Sequence, residues 1–190
     1  MSDVADDELI RRHLDGDRSA FGFLVERHQR RVYNLAYRML GRPEDAADAT
    51  QDAFVTAMRK LEGFRGASSF TTWLHRVTVN ICYDALRKRS REVPVEEQDQ
   101  SDVAGPGDLA EESATALDVQ RALLEVPEEF RAVLVLHDVQ GVPYEAIAEA
   151  IGAPIGTVKS RLHRGRVALA RAVRGEQRAG SRASNQRGTS

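Results

Sequence analysis

The 190-residue sequence has few of the features that build disulfide frameworks or membrane spans. Cys82 is its single cysteine, which excludes an intramolecular disulfide and a cysteine-rich zinc site. No apolar run approaches the ~18 residues that a membrane-spanning helix needs. The N-terminus is acidic, whereas a secretory signal begins with basic residues and continues with an apolar stretch. We therefore expect a cytoplasmic protein with no membrane insertion.

Basic residues are absent from one long segment in the middle of the chain. Residues 92–120 carry 9 acidic and no basic side chains, whereas residues 1–91 have a net charge of +3 and residues 121–190 a net charge of +4. Two mildly basic blocks separated by an acidic segment indicate nucleic-acid contacts in the blocks and a solvated tether between them.

The apolar residues of both basic blocks recur at steps of three and four, and the alternation typical of strands is absent. We therefore predict an all-α fold of two small helical domains joined by a flexible acidic linker, the second domain containing a helix-turn-helix. The predicted units are a first domain at 1–91, a linker at 92–112, a second domain at 113–174 and a disordered tail at 175–190. The predicted helices lie near 6–14, 19–39, 44–61, 69–89, 114–124, 130–140, 143–151 and 155–173.

The sharpest local pattern lies in residues 144–161, YEAIAEAIGAPIGTVKSR. A small residue at Ala148, a glycine at Gly152 and an apolar residue at Val158 have the spacing of a helix-turn-helix. The second of the two helices carries basic and polar side chains around an inward line that begins at Val158. Such a helix can enter a major groove of DNA, where Arg and Lys reach guanine edges and phosphates. An arginine-rich solvated helix in a helical hairpin is the plainer alternative.

Two other predicted helices have distinctive polar faces. The face of the helix at 69–89 mixes cations, an amide and an aromatic ring, as single-stranded DNA binding requires; its members are Thr72, Arg76, Asn80, Tyr83 and Arg87. The helix at 44–61 has an acidic stripe, which would repel DNA and fits a protein partner; its members are Asp45, Asp48 and Asp52, beside Gln51. An ordinary solvated face is the alternative for both helices.

Three segments, taken together and in order, resemble a known family. They are residues 45–54 (DAADATQDAF), 70–80 (FTTWLHRVTVN) and 156–164 (GTVKSRLHR). From about Asp6 to Val173 the chain resembles the extracytoplasmic-function (ECF) sigma factors, the minimal class of the sigma-70 family of bacterial RNA polymerase sigma factors. The resemblance implies a non-catalytic protein that binds core RNA polymerase and directs promoter-specific transcription initiation.

The resemblance also implies a role for each segment. In such factors the acidic helix binds the clamp helices of the largest polymerase subunit, which would make Asp48, Gln51 and Asp52 the core-binding residues. The next loop and helix read the melted −10 promoter element, through Phe64, Arg65, Ser69, Phe70, Thr72, Arg76 and Asn80. The helix-turn-helix reads the −35 element, through Lys159, Ser160, His163 and Arg164. The acidic segment from Glu92 would thread into basic channels of the polymerase.

The partners implied by the resemblance are core RNA polymerase, through its clamp helices and flap, promoter DNA, and an anti-sigma factor that clamps both domains and holds the free protein inactive. We expect the free chain to be a monomer. We expect no cofactor, no metal ion and no catalytic residue.

Two other classes of protein remain open as alternatives. The second domain alone would suit a stand-alone helix-turn-helix regulator, although the first domain is then unexplained. His137-Asp138 resembles a metal-binding dyad of a phosphohydrolase, but a metal site needs further ligands and the other histidines are scattered.

Cys82 is expected to be a small core residue. Gly165 either loosens its helix or permits a close approach to DNA.

Overall fold

The computed structural model describes residues 4–92 and 114–186, and within them the side chains of residues 4–91 and 117–175. Within these ranges each regular element is helical, which confirms the all-α prediction. The predicted linker lies outside the described residues beyond Glu92. The elements are α1 (Asp6–Leu14), α2 (Arg18–Leu40), α3 (Pro43–Lys60), a 3-10 turn (Leu61–Gly63), α4 (Phe70–Glu92), α5 (Ala114–Leu124), α6 (Glu128–Leu134), a π-helical turn (Val135–Val139), α7 (Tyr144–Ile151) and α8 (Ile155–Gln186).

Local sequence signals fix both ends of α2. The Asp17 carboxylate accepts a hydrogen bond from the Ser19 backbone N–H at 3.0 Å and so caps the first turn. The helix ends at Gly41, whose φ of +83° is strained for any residue with a Cβ. The Gly41 N–H donates to the Tyr37 carbonyl at 2.8 Å. Pro43 then begins α3, where its missing N–H costs no hydrogen bond, and α3 packs back against α2.

The first domain consists of α1 to α4 around a core of their apolar faces. Leu24, Phe54 and Leu74 lie at its centre, each from a different helix. The short α1 is held to α2 by two buried residues, Leu9 and Ile10, and by side-chain bonds described below. None of the described helices, in 4–92 or in 114–186, is long and apolar enough to cross a membrane.

The second domain consists of α5 to α8, and α8 packs closely on α6. Gly165 of α8 is buried, and a Cβ there would lie 3.2 Å from the Phe130 carbonyl oxygen and 3.3 Å from Leu134. The glycine therefore faces α6, and the expectation that it permits a close approach to DNA is wrong for this conformation; that it loosens the helix stays a prediction.

Helix α8 is longer than the apolar pattern predicts. Its backbone is helical as far as Gln186, whereas the sequence predicted an end near Val173 and a disordered tail. No proline occurs between these two residues, and most of the residues there are good helix formers.

The two domains pack directly against each other, which the sequence did not predict. Helix α4 packs on α7, and the C-terminal end of α2 packs on α5. A single hydrophobic core crosses the boundary and contains residues of both domains, among them Leu35, Met39, Val79 and Cys82 from the first and Leu123, Val133, Leu136 and Ile147 from the second.

Buried polar side chains also cross this boundary. Gln120, 1% exposed, donates to the Tyr37 carbonyl at 3.2 Å and accepts a hydrogen bond from Arg38 at 2.8 Å. The buried Arg131 donates to the carbonyl of Met39. The last carbonyls of a helix lack partners within the helix, and the bond from Arg131 supplies one to Met39. The Tyr37 carbonyl also accepts the Gly41 N–H, so Gln120 is its second donor.

The buried ring of His75, on α4, lies beside the same boundary. Neither ring nitrogen has a hydrogen-bond partner among the described residues. Burial lowers the pKa of His75 to about 4, and the charges of Arg31 and His28 on α2 act in the same direction. The side chain of Gln140, from the second domain, is near enough to oppose this shift but outside hydrogen-bond geometry. The ring is therefore neutral near pH 7.

His75 should make the fold sensitive to acid. The unfolded chain binds a proton on this ring below its ordinary pKa of 6.5, whereas the folded chain does not until about pH 4. Stability is therefore full above pH 6.5 and falls as the pH drops towards 4, by about 2–3 kcal/mol. Urea unfolding at pH 7 and pH 4.5 should show this loss in the wild type and a smaller loss in His75→Leu. His163→Leu, at an exposed histidine, is the control; equal losses in all three chains would contradict the assignment.

Gly165→Leu should destabilise the second domain. The new side chain overlaps the α6 backbone, and overpacking of this kind costs about 1–3 kcal/mol. Gly175→Leu, in the same helix with no atom within 4 Å of its Cβ position, is the matched control. Thermal unfolding should show a lower Tm for the first variant alone, and an unchanged Tm would refute the packing role.

Candidate nucleic-acid interface

The helix-turn-helix predicted from the sequence is formed by α7 and α8. Gly152 ends α7 with a φ of +63°, and its N–H donates to the Glu149 carbonyl. After a turn of three residues, α8 begins at Ile155. Val158 and Leu162 of α8 are 0% and 2% exposed, which fixes the inward side of this helix.

The opposite side of α8 carries the residues predicted to read DNA, and all four are exposed: Lys159, Ser160, His163 and Arg164. The Lys159 ammonium lies 5.8 Å from the ring centre of Tyr144, and the Arg164 guanidinium lies 6.0 Å from that of Phe130. Both cations are thus supported by aromatic rings while their donors face solvent. Ser160 donates to the Thr157 carbonyl.

Arg166, also on α8, is paired within the second domain. Its guanidinium donates to Asp138 at 2.8 and 2.6 Å, and Asp138 is also 2.6 Å from Nδ1 of His137. The hydrogen bond from Arg166 is the main cause that lowers the pKa of Asp138 to about 2, and the hydrogen bond from His137 lowers it further. The His137-Asp138 pair is therefore a salt-bridge partner for α8. Within 4–92 and 114–186 no group of three His, Cys, Asp or Glu side chains could hold a metal ion.

Helix α3 places its acidic stripe on the surface. Its buried side is built from small residues and one phenylalanine, which leaves the opposite side to solvent. Asp48, Gln51 and Asp52 are all exposed, and neither carboxylate forms an ion pair with another described residue. Three adjacent hydrogen-bonding side chains, two of them anionic, are therefore available to a basic partner.

The loop between α3 and α4 is anchored by aromatic rings. Phe64 lies 5.3 Å from Trp73 and 6.1 Å from Phe70 between ring centres. Phe64 and Trp73 are half-buried, whereas Phe70 is 1% exposed. Arg65 is exposed at the start of the loop. The expectation that Phe70 contacts a base is wrong for this conformation, because the ring belongs to the core.

Ser69 and Thr72 form a cap on α4. The Ser69 hydroxyl accepts a hydrogen bond from the Thr72 N–H at 3.1 Å, and the two hydroxyls are 2.9 Å apart. Thr72 is only 8% exposed, so in this conformation it positions the loop and does not offer itself to DNA as predicted. Ser69 is exposed, so it can cap α4 and also contact DNA.

The predicted polar face of α4 is divided by the second domain. Arg76 and Asn80 are exposed, as expected. Tyr83 is half-buried, and burial is the main cause of the raised pKa of its hydroxyl. Among charged residues of the second domain, Arg161 lowers this pKa, whereas Glu128 and Glu129 raise it. Arg87 forms an ion pair with Asp84. Arg76, Asn80 and Arg87 of this face are therefore exposed, whereas Thr72 and Tyr83 are covered.

Family models match both domains of the chain. A model described as Sigma-70 region 2 matches residues 24–92, and one described as Sigma-70, region 4 matches residues 116–169. The ECF RNA polymerase sigma factor SigM of Mycobacterium tuberculosis is 41% identical over 169 residues, which cover 88% of this chain and 84% of the relative.

The chain belongs to the ECF RNA polymerase sigma factors.

Other relatives of this sigma factor agree. The ECF RNA polymerase sigma factor SigE of Mycolicibacterium smegmatis is 40% identical over 151 residues; the match covers 77% of this chain and 58% of that relative's length. Among solved structures, the sigma factor RpoE in complex with the anti-sigma factor NepR from Bartonella quintana has a TM-score of 0.64 at 27% identity. It covers 81% of this chain and 96% of that one. Because both domains match sigma factor models, the alternative of a stand-alone helix-turn-helix regulator is not favoured.

The sequence missed a group of charged residues beside the loop of this sigma factor. Asp6, Asp7 and Arg27 line an open groove together with residues 66–70. Asp6 bonds to Arg27 at 2.6 Å and to the buried His28 at 2.8 Å, so α1 and α2 are held together here. Burial lowers the pKa of His28, and Asp6 opposes this. These residues lie some 40 to 60 positions before the loop, and only the fold brings them to it.

The single cysteine is a core residue, as expected. Cys82 is fully buried on α4, and burial raises the pKa of its thiol to about 12. Its thiolate is therefore not available for redox or metal chemistry at neutral pH.

Proposed function

We propose that this sigma factor binds core RNA polymerase through α3 and directs it to promoters by reading two DNA elements, under the control of an anti-sigma factor. One observation carries the proposal. Three chemically different surfaces are exposed on one chain: the acidic stripe of α3, Arg76 and Asn80 on the polar face of α4, and the basic face of α8.

The basic face of α8 is proposed to read the −35 element as duplex. Arg and Lys donors at the N-terminal half of a helix-turn-helix recognition helix reach base edges and phosphates in the major groove. Lys159 and Arg164 have exposed charged groups held near aromatic rings, so little side-chain freedom is lost when DNA binds. Ser160 and His163 add polar contacts on the same face.

The loop at 64–69 and the start of α4 are proposed to capture the −10 element as a melted strand. Opening base pairs costs a few kcal/mol, which must come from contacts to the unstacked bases. Arg76 and Asn80 supply a cation for phosphates and an amide for base edges. The groove beside the loop is lined by Asp6, Asp7 and Arg27, with Asp6 paired to Arg27, so it offers polar contacts of both signs to an unstacked base.

The stripe on α3 is proposed to bind the clamp helices of the largest polymerase subunit. An acidic face repels DNA, and complementary charge on a protein partner speeds association and fixes the register. Asp48, Gln51 and Asp52 are exposed on α3, a different helix from those that carry the proposed DNA-reading residues, so polymerase and promoter would be bound by different helices.

An anti-sigma factor is proposed as the regulator. The complex of RpoE with NepR supports this, since that sigma factor resembles the present chain over both domains. A partner that covers the exposed faces of both domains would block polymerase and DNA together.

Asp48→Lys should weaken binding to core polymerase. Reversing one exposed charge in an acidic stripe removes attraction and adds repulsion, so we expect Kd to rise about 5- to 10-fold at about 0.1 M salt. Glu26→Lys, an equally exposed charge reversal on α2, is the control. Fluorescence anisotropy with core enzyme measures both. Equal effects of the two variants would show that net charge, and not this stripe, governs binding.

Arg164→Ala should weaken recognition of the −35 element. A side chain that reads a base contributes about 1–3 kcal/mol of discrimination, so the loss should be largest on the preferred sequence. Arg171→Ala, exposed two turns further along α8, is the matched control. Binding of holoenzyme to promoters with single −35 substitutions measures the effect. A loss that is uniform over all sequences would assign Arg164 to phosphate instead.

Transcription in vitro tests the proposal as a whole. Purified core polymerase is incubated with fragmented genomic DNA of the source organism, with and without this protein, and transcript starts are sequenced. Discrete new starts that share two upstream motifs are expected. Absence of new starts, with specific binding of the protein alone to duplex DNA, would favour the stand-alone regulator and overturn the proposal.

A further inference from the structure

The loop that is proposed to read the −10 element is open at its centre. Residues 65–67 are exposed, and Gly66 has a φ of +67° with no atom within 4 Å of its Cβ position. Binding loops of this kind are positioned by the rigid elements at their ends. The shape of this loop therefore depends on how Phe64, its first residue, and Phe70, the residue that follows it, are held.

Phe70 is the fixed point at the end of this loop. It is 1% exposed, and its ring centre lies 6.1 Å from that of Phe64 and 5.8 Å from that of Trp73. His28 of α2 adds a third ring, 5.4 Å away and edge to face at 63°. This arrangement is favoured because the positive edge of one ring meets the negative face of the other. The orientation of the His28 ring therefore helps to determine where Phe70 packs.

The orientation of the His28 ring is set by Asp6, the first residue of α1. His28 is 5% exposed, and its Nε2 lies 2.8 Å from one carboxylate oxygen of Asp6. The other carboxylate oxygen accepts a hydrogen bond from Arg27 at 2.6 Å, so the carboxylate is held by two residues of α2. Without Asp6, this buried nitrogen of His28 would lose its partner, and the ring would turn or shift to find another.

The attachment of α1 to α2 does not by itself explain where this pair lies. Two buried apolar residues already hold α1 in the core of the first domain. A second ion pair, 2.6 Å long, joins Arg12 near the C-terminal end of α1 to Asp17 at the start of α2. The Asp6 carboxylate instead lines the groove that residues 66–70 form. Its place suits a role in the loop.

We propose that Asp6 and His28 are positioning residues for the reading of the −10 element: Asp6 orients the ring of His28, and this ring holds Phe70 and with it the loop at 64–69. The inference rests on the proposed function for its consequence in DNA reading, whereas the effect on the loop is a property of the free chain. Helix α1 lies outside the residues that the region 2 model matches, and it thereby contributes to promoter choice through α2.

The fluorescence of Trp73 tests this arrangement in the free full-length chain, because Trp73 is the single tryptophan and its ring lies 5.3 Å from that of Phe64. Asp6→Ala should release the loop, so that acrylamide quenches Trp73 more strongly and the emission maximum moves to longer wavelength. Asp17→Ala is the matched control, since it removes the same charge and the other ion pair between α1 and α2. It should leave both fluorescence properties as in the wild type. Circular dichroism establishes that each variant is folded.

Binding of holoenzyme to promoters with single-base substitutions tests the consequence for DNA reading. In Asp6→Ala the preference for the best −10 sequence should fall about 3- to 10-fold, the size of coupling between residues of one hydrogen-bonded network. The preference at −35 and the affinity for core polymerase should stay as in the wild type. A variant that is merely less stable would lose active protein and weaken binding to all promoters alike. Asp17→Ala should show at most this uniform loss.

His28→Phe separates an action through His28 from a direct contact of Asp6 with DNA. Phenylalanine keeps a ring against Phe70 but has no nitrogen for Asp6, so the loop in this variant no longer depends on the carboxylate. Asp6→Ala should therefore change both Trp73 quenching and the −10 preference in the His28 background, and neither in the His28→Phe background. Asp6→Asn keeps an oxygen that can accept a hydrogen bond from His28, and its effects should be smaller than those of Asp6→Ala.

Three results would overturn the proposal: unchanged quenching in Asp6→Ala, an equal increase in Asp17→Ala, or the same effect of Asp6→Ala in both backgrounds. The last result would assign Asp6 to a direct contact with the base. Altered quenching with an unchanged −10 preference would leave a structural pair without a role in reading, and so contradict the proposal as well. Failure of the proposed function reads out separately, as absence of promoter-specific binding in the wild type while the fluorescence pattern stands.

Discussion

The C-terminal end of α2 is the point on which the arrangement of the two domains depends. The helix must stop there, and Gly41 stops it with a conformation that excludes most other residues. The Met39 carbonyl near the end of the helix accepts a hydrogen bond from Arg131 of the second domain, and Gln120 adds a second donor to the Tyr37 carbonyl, which also accepts the Gly41 N–H. Leu124 occupies the space that a side chain at position 41 would fill. Backbone geometry, hydrogen bonding and apolar packing thus coincide at one site.

Charged side chains lie on the surface and neutral ones in the core, and this distribution determines which surfaces are available to partners. Inside the domains, small and aliphatic residues face each other, and the histidines that lie there stay neutral because burial disfavours their charged forms. Outside, the acidic stripe of α3 and the basic face of α8 occupy different helices. Under the proposed function, one of these surfaces binds polymerase and the other binds promoter DNA.

The helices could be predicted from the sequence because each has an apolar stripe of its own, and residues such as Leu24, Leu74 and Val158 lie where the pattern placed them. The exposed candidates on α3 and α8 also lie as expected. The errors arise where partners come from elsewhere in the chain. Tyr83, for example, is covered by the second domain. Thr72 is a local exception, because it turns inward to form a helix cap with Ser69, three residues before it. Periodicity gives the face of a helix but not what lies against it.

Hydrogen exchange on the full-length chain, free and bound to core polymerase with promoter DNA, tests the account most directly. In the free chain, amides at the C-terminal end of α2 and in α5 should be protected by the contact between the domains. In the promoter complex the loop at 64–69 and the first turns of α8 should become protected. Unchanged exchange in that loop and in α8 would contradict the assignment of these surfaces to DNA.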